Sequence, residues 1–252
     1  TLESLAAIKR QQIIDFYRRY YVGRNATVAI VGDLTVEEAQ KVSERVFGGL
    51  KAGKKPPVIP EPVSPQGPQV VWIPFQSQQA HIRIGNIGIR RNDPQRRTLG
   101  VANHIFGGNA LLSRIGMEVR EKRGLAYSIN SRFSSMAASG PFLVDGEVNG
   151  NGLIEAIRAI ERELQEYIDQ GPDEKELVAA KRNLTGSFPL HIAQNNSLVG
   201  SLSAIGFYDQ PLDTLSSYPS HVEAVTAESI TKALSRVIDT ENMIIVVVGG
   251  NP

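Results

Sequence analysis

The spacing of apolar residues divides the chain into helices and short strands. Apolar positions three or four residues apart predict amphipathic helices at residues 5–21, 35–47, 94–106 and 153–170. Continuous or alternating apolar runs predict strands at residues 26–31, 69–75, 80–89, 141–148 and 243–248. A proline-rich stretch at residues 51–67 separates the first three elements from the rest, which indicates an extended linker.

The segment 109–130 predicts a helix, a glycine stop and a strand in direct succession. The predicted helix begins at Asn109 as N-cap and has one apolar stripe, formed by Leu112, Ile115 and Val119. Gly124 is expected to end the helix in the left-handed conformation. The strand that follows is expected to alternate, with one face formed by Leu125, Tyr127 and Ile129.

Two polar groups flank this glycine stop. Arg120 lies about 120° from the centre of the apolar stripe on a helical wheel, and Tyr127 begins the next strand. A guanidinium and a phenol hydroxyl placed together are donors for a carbonyl oxygen or an oxyanion. Spacing alone leaves a second interpretation open, in which Arg120 caps the helix and Tyr127 is a core aromatic.

The run from Ser113 to Ser128 resembles the signature in the second half of pitrilysin-type, or insulinase-type, zinc peptidases such as the mitochondrial processing peptidase. In that family an Arg and a Tyr seven residues apart reach the substrate beside a zinc site carried by the other half. The resemblance places Arg120 and Tyr127 at those positions as catalytic residues that bind substrate and the transition state. It also implies an α+β fold, an α/β roll whose mixed, mainly antiparallel sheet has helices packed on one face.

An internal repeat supports a duplicated architecture. A shift of 217 positions overlays residues 5–33 on residues 222–250 without gaps, and the identical pairs are Ala7/Ala224, Ile13/Ile230, Arg19/Arg236, Asn25/Asn242, Val31/Val248 and Gly32/Gly249. We therefore expect residues 1–50 to be the helix–strand–helix end of a first half, residues 51–67 a linker, and residues 68–252 a complete second domain that is inactive by itself.

No zinc motif accompanies the signature. The family's first half carries His-x-x-Glu-His, whereas the histidines here are His81, His104, His191 and His221, none in that motif. If helix 94–106 is the counterpart of the zinc helix, the ligand positions fall on Leu99, Ala102 and Asn103, which do not build a zinc site. We therefore predict no metal and no cofactor in this chain, with zinc expected in the partner half.

Composition narrows the possible partners. The chain is 41% hydrophobic and 21% charged with a net charge of +1, so no basic field favours nucleic acid. The absence of cysteine excludes thiol catalysis. The longest apolar run, at residues 243–248, is too short for a transmembrane segment.

Two interpretations of function follow from the resemblance. In the first, the chain is the zinc-free half or subunit of a metallopeptidase that binds a peptide substrate and acts only with a zinc-bearing half or partner, as a fragment of a longer chain or in a homo- or heterodimer. In the second, it is a non-catalytic structural or assembly protein of the same fold, like the core subunits of a respiratory complex. The resemblance to short two-subunit members favours a bacterial periplasmic or envelope setting.

Overall fold

The computed structural model describes residues 1–109 and 111–250. These residues form two compact units, the first made of Thr1–Ile59 with Pro189–Thr214, and the second of Pro60–Phe188 with the segment from Leu215 on. In the described part of the chain the α-helices are α1 (Leu2–Ala6), α2 (Arg10–Tyr20), α3 (Val36–Phe47), α4 (Arg96–Asn103), α5 (Leu153–Gln170), α6 (Glu174–Ile192), α7 (Asn195–Phe207), α8 (Tyr218–Glu223) and α9 (Ala227–Val237). The strands are β1 (Gln69–Ile73), β2 (Gln79–Ile87), β3 (Ala126–Phe133), β4 (Pro141–Asn149) and β5 (Ile244–Gly249).

The second unit is built on one sheet with the strand order β1-β5-β2-β4-β3 in the described residues. The β1–β5 pair is parallel, and the other three pairs are antiparallel. Strand β5, from the far end of the chain, lies between β1 and β2, where it runs parallel to β1 and antiparallel to β2. The sheet confirms the predicted mixed, mainly antiparallel α+β fold.

Helices cover one face of this sheet. Helix α9 packs on α4 and α5, α4 contacts β3 and α5 contacts β4. The core beneath them includes Phe106, Phe142 and Tyr167. The Tyr167 ring stacks on Phe106 at 5.8 Å between centroids, and its hydroxyl donates to the Ala102 carbonyl at 3.1 Å. The buried Tyr167 hydroxyl needs such an acceptor. On α4, Leu99 and Ala102 are fully buried, as the helical spacing predicts.

The opposite side of the sheet carries no helix in the described residues of this unit, and we call it the open face. Alternation along the strands puts the side chains of His81, Arg83, Leu143, Asp145, Glu147 and Val246 there, among others. The side chains between them along each strand are buried under the helices. The open face is therefore the side of the sheet available to a ligand.

The first unit has little apolar core of its own. In α2 and α3 no residue is buried, and Ile13, Phe16 and Tyr17 each expose more than half of their surface. Val22 is an exception, since it packs against Gly53, and the Gly23 amide donates to the Lys51 carbonyl at 2.8 Å. Residues 51–53 are thus bonded to the turn after α2, while residues 51–66 contain no helix or strand.

One predicted strand is absent from this unit. Residues 26–31 were predicted as a buried strand, and the structure gives them no strand pairing, so the predicted helix–strand–helix order of residues 1–50 is wrong at its centre. A strand is stabilised by hydrogen bonds to neighbouring strands, and the described residues place none beside this segment. Separately, no helix in residues 1–109 or 111–250 has the length and apolar character needed to span a membrane.

Candidate functional site

The signature segment folds as a short helix, a left-handed glycine and a strand. The helical part begins at Arg114, where the Ser113 hydroxyl accepts from the Gly116 amide at 3.3 Å and so caps it. Asn109 is therefore not the N-cap, and Leu112 lies before the helix and is exposed. The helix widens to π-helical geometry over Gly116–Glu121, a feature often found at functional sites.

Gly124 ends the helix as the sequence predicts, with φ at +63°. Its amide donates to the Arg120 carbonyl at 3.0 Å, and the Leu125 amide donates to the Val119 carbonyl at 3.0 Å. The chain therefore reverses within one residue, which brings the last helical turn close to the start of β3. A residue with a side chain would be strained in this conformation.

Tyr127 occupies a β-bulge at the beginning of β3. Ala126 pairs with Val148 and Ser128 pairs with Glu147, so Tyr127 is the extra residue between two consecutive partners of β4. The predicted alternation is wrong here, because Tyr127 and Ser128 are both exposed while Ala126 is buried. The bulge turns the Tyr127 side chain away from the core, and 76% of the residue is exposed.

The structure brings Arg120 and Tyr127 together. The guanidinium carbon of Arg120 lies 5.8 Å from the centre of the Tyr127 ring, within the range of a cation–π contact. The Arg120 Nε is 3.6 Å from the Glu121 carboxylate, and about a third of its side chain is exposed. Both donor groups are therefore accessible to a ligand, and the Glu121 carboxylate, at 3.6 Å, does not fully occupy the guanidinium.

Tyr127 also borders an open cavity of about 770 Å³, which we call the tyrosine cavity. Its walls are formed mainly by polar side chains and loop backbone, including those of Gln79, Glu147, Asn149 and Gly150. Arg120 contacts the tyrosine ring but does not border this cavity. The cavity is open and polar, which suits an extended peptide with many backbone hydrogen-bonding groups.

Ion pairs fix the helical turn that carries Arg120. The Glu118 carboxylate accepts from Arg123 at 2.8 Å, from Arg162 of α5 at 2.9 Å and from Lys122 at 3.1 Å. The hydrogen bonds from Arg123 and Lys122 lower the pKa of Glu118 to about 2. A carboxylate held by three cations joins this turn to α5 and restricts the position of Arg120 two residues away.

A second ion-pair group anchors the start of the same helix. Arg114 forms two hydrogen bonds of 2.7 Å with the Glu176 carboxylate and lies 4.7 Å above the ring of Tyr167. Its guanidinium also donates to the Gly171 carbonyl at 3.2 Å. The pKa of Arg114 is raised by Glu176 despite partial burial. This fork-to-fork geometry fixes the helix against α6.

The positions that correspond to the family's zinc ligands do not fit a metal. Leu99 and Ala102 are buried apolar residues, and Asn103 donates to the Ser131 carbonyl at 3.0 Å while accepting from the Ser131 hydroxyl at 2.8 Å. Across residues 1–109 and 111–250, no three His, Asp or Glu side chains come together in a way that would hold a metal ion. His104 is half-buried, which lowers its pKa, and borders a cavity of about 140 Å³ beside α6.

The charged groups of the open face were not predictable as a site from the sequence. The alternation of His81 and Arg83 with buried isoleucines in β2 was visible, but the partners of these two residues lie on another strand. In the structure Asp145 accepts from Arg83 at 2.5 Å and also from Arg132, and Glu147 lies 3.7 Å from His81. Strand register, which the sequence did not specify, creates these pairs.

Comparisons with known proteins identify the class. A family model described as the peptidase M16 inactive domain matches residues 7–184. An uncharacterized zinc protease of Streptomyces coelicolor is 30% identical over 209 residues, which are 80% of this chain and 45% of that protein. The chain therefore belongs to the peptidase M16 family and matches its inactive domain, which confirms the predicted resemblance.

Solved structures agree with this assignment. The peptidase M16 inactive domain from Pseudomonas fluorescens superimposes with a TM-score of 0.93 at 32% identity, over 99% of this chain and 59% of that one. A chain in complex III2 from Candida albicans shares the fold, with a TM-score of 0.83 at 17% identity, over 99% of this chain and 61% of that one. The present chain spans about half the length of the curated relatives it matches.

Proposed function

We propose that this chain is the zinc-free half of a peptidase in which Arg120 and Tyr127 bind the peptide at the bond that is cleaved. The observation that carries this proposal is the Arg120 guanidinium 5.8 Å from the centre of the Tyr127 ring, with Tyr127 bordering an open polar cavity. The names of the relatives, which are zinc proteases, support the reaction class.

The chemistry proposed for the pair is electrostatic. The Tyr127 hydroxyl donates a hydrogen bond to the scissile carbonyl oxygen, and the Arg120 guanidinium stabilises the negative charge that develops there. Removing one donor of this kind costs about 10²–10³ in turnover. The zinc-bearing half would supply the metal and the attacking water, and the residues of this chain would bind and orient the peptide.

We also propose that residues 1–50 complete the fold of that zinc-bearing half, with residues 51–67 as the linker and 68–252 as the second domain. The support comes from the apolar residues that α2 and α3 leave exposed and from the strand that residues 26–31 do not form. A partner that places strands beside residues 26–31 would bury this surface. The partner half, covalently joined or separate, is thus the proposed binding partner of this chain.

The test is a peptidase assay of the chain assembled with its zinc-bearing half. Tyr127→Phe and Arg120→Gln should each lower turnover about 10²- to 10³-fold, while circular dichroism and the melting temperature stay unchanged because both side chains are at least partly exposed. Arg158→Gln, on the exposed side of α5, is the matched control and should retain activity. Unchanged turnover in Tyr127→Phe would refute the catalytic assignment.

A second candidate, a structural or assembly role, is favoured by the shared fold with a chain of complex III2. It predicts a stable complex with a partner and no hydrolysis of any peptide in a broad library. The same reconstitution therefore distinguishes the two functions.

A further inference from the structure

The open face of the sheet contains an apolar cavity that the Arg120–Tyr127 pair does not use. This cavity, which we call the apolar pocket, has a volume of about 310 Å³. Leu143, Ile244 and Val246 line it from the sheet, and Pro62, Val63 and Pro65 line it from the segment that precedes β1. Apolar side chains thus border it on two sides, in contrast to the polar tyrosine cavity.

Gly85 lies in the sheet wall of the pocket. Gly85 pairs with Leu143 on one side and Ile244 on the other, so it lies between the two apolar side chains in the sheet. A Cβ at this position would lie 2.8 Å from the Leu143 side chain and 2.4 Å from the Phe142 carbonyl oxygen. The Leu143 side chain and the β4 backbone therefore approach Gly85 closely, and a residue with a side chain would not fit there without displacing them.

The wall formed by residues 61–65 is anchored rather than loose. The Glu61 carboxylate pairs with Arg90 at 2.5 Å and accepts from the Ser139 amide at 3.1 Å. At the other end of the segment, the Gly67 amide donates to the Asn242 side chain at 2.7 Å. Because both ends are bonded to the sheet unit, the pocket has a fixed shape and a preformed binding surface.

The apolar pocket is connected to the tyrosine cavity across the open face. A middle cavity of about 470 Å³ shares Glu147 with the tyrosine cavity and shares Arg83 and Val246 with the apolar pocket. In its floor Asp145 neutralises both Arg83 and Arg132. The three cavities form one trough with a polar end at Tyr127, a charge-paired middle and an apolar end.

Strand geometry gives the length of this trough. Glu147 pairs with Ser128, next to Tyr127, and Leu143 lies four residues further along β4, about 13 Å away. Gly85, which lines the pocket, is on β2, two strands from β3, which adds about 10 Å across the sheet. The diagonal is about 16 Å, which an extended peptide covers in about five residues.

We propose that the apolar pocket is a specificity subsite that takes one apolar side chain of the peptide substrate, about five residues from the bond held at Tyr127. This inference rests on the proposed peptidase function. The volume, at the lower end of the range for ligand pockets, is large enough for an apolar side chain. Continuity with the tyrosine cavity makes the peptide the occupant, since a chain bound at Tyr127 and extended along the trough reaches the pocket.

The experiment uses the chain assembled with its zinc-bearing half and a set of alanine-rich peptides that differ only in the position of one phenylalanine. Cleavage should be about tenfold more efficient, as kcat/KM, when the phenylalanine lies four to six residues from the cleaved bond on one side. Aspartate at that position should abolish the gain. Val246→Phe, which fills the pocket, should remove the preference, whereas Ile73→Phe on the edge strand β1 should keep it.

A photo-crosslinking readout is independent of turnover. The same peptide with benzoylphenylalanine at the preferred position should label Leu143 or the segment 62–65, and Val246→Phe should suppress the labelling. A flat dependence of kcat/KM on phenylalanine position, or a preference that persists in Val246→Phe, would overturn the subsite. Failure of the peptidase proposal is distinguishable, because then Tyr127→Phe would leave hydrolysis unchanged or no peptide would be cleaved at all.

Discussion

The two copies of the internal repeat have the same helices and different surroundings. Helix α2 (Arg10–Tyr20) corresponds residue for residue to α9 (Ala227–Val237) under the shift of 217, and the short 3₁₀ turns Gly23–Asn25 and Thr240–Asn242 also coincide. After these turns the copies diverge. Residues 244–249 form β5, inserted between β1 and β2, while residues 27–32 form no strand.

Burial differs at the same equivalent positions. Ile230 is fully buried under the second unit's helices, and its counterpart Ile13 exposes 59% of its surface. Leu234 is buried and its counterpart Tyr17 is exposed. Equal patterns with unequal burial show that local sequence sets the helix and the turn, whereas neighbouring strands decide whether the following segment joins a sheet. The difference supports the proposal that the first copy is completed by the zinc-bearing half.

Proline substitution at the equivalent strand positions should give the largest contrast. Ile245→Pro removes a hydrogen bond from a central strand, and we expect it to lower the free energy of unfolding of the second unit by at least about 3 kcal/mol. Val28→Pro, at the equivalent position, should change it by less than about 0.5 kcal/mol, because no ladder is present to lose. Trp72, the single tryptophan, lies on β1 and reports unfolding of this sheet by its fluorescence.

The same pair of variants tests the missing neighbour. When the zinc-bearing half is added, Val28→Pro should weaken its binding, and hydrogen exchange at residues 27–31 should slow in the native chain only. Equal destabilisation by the two prolines in the isolated chain would show that residues 26–31 already pair with a strand, and would contradict the comparison.

Truncation of the equivalent isoleucines should give the next largest effect. Ile230→Ala removes buried methyl groups and should cost about 2–5 kcal/mol in the free energy of unfolding. Ile13→Ala should stay within about 0.5 kcal/mol, since Ile13 is largely exposed. Urea unfolding followed at Trp72 measures both. Binding to the zinc-bearing half, measured by calorimetry, should show the opposite order. Its affinity should fall about tenfold in Ile13→Ala and stay unchanged in Ile230→Ala.

Much of the fold was predictable because local signals agreed with the tertiary structure. The helix stop at Gly124 and the buried positions Leu99 and Ala102 followed from spacing and glycine chemistry. The absence of a strand at residues 26–31 could not be predicted, because these residues are as apolar as those of β5. In the described residues no strand pairs with this segment, and its own sequence does not specify which strand would lie beside it.

The candidate site was predictable in its residues and not in its geometry. The family signature pointed to Arg120 and Tyr127, and simple alternation put Tyr127 on the same face of the strand as Ile129. The bulge at Tyr127 reverses that assignment, since one extra residue shifts every side chain before it to the opposite face. The ion pairs of Glu118 with Arg162 and of Asp145 with Arg83 depend on long-range register. No local pattern marks them.

The smallest expected difference between the two units is in how their stability depends on pH. The hydrogen bonds from Arg123 and Lys122 lower the pKa of Glu118 from its usual 4.5 to about 2, so its contribution is present above pH 4.5 and is lost as pH falls toward 2. Glu118→Gln should reduce the free energy of unfolding at pH 7 by about 1–2 kcal/mol. The difference in free energy of unfolding between Glu118→Gln and the native chain should decrease steadily below pH 4.5, as measured by urea unfolding followed at Trp72.

Glu38→Gln is the matched control, because Glu38 lies on α3 of the first unit, where the backbone and hydroxyl of Thr35 lower its pKa. If the two units are stabilised separately, Glu38→Gln leaves the Trp72 transition unchanged at every pH, although the helix signal of the first unit changes. If Glu118→Gln lowered the free energy of unfolding equally at every pH, the ion pairs of Glu118 with Lys122, Arg123 and Arg162 would not contribute to stability in solution. The helical turn that carries Arg120 would then not be stabilised by these ion pairs.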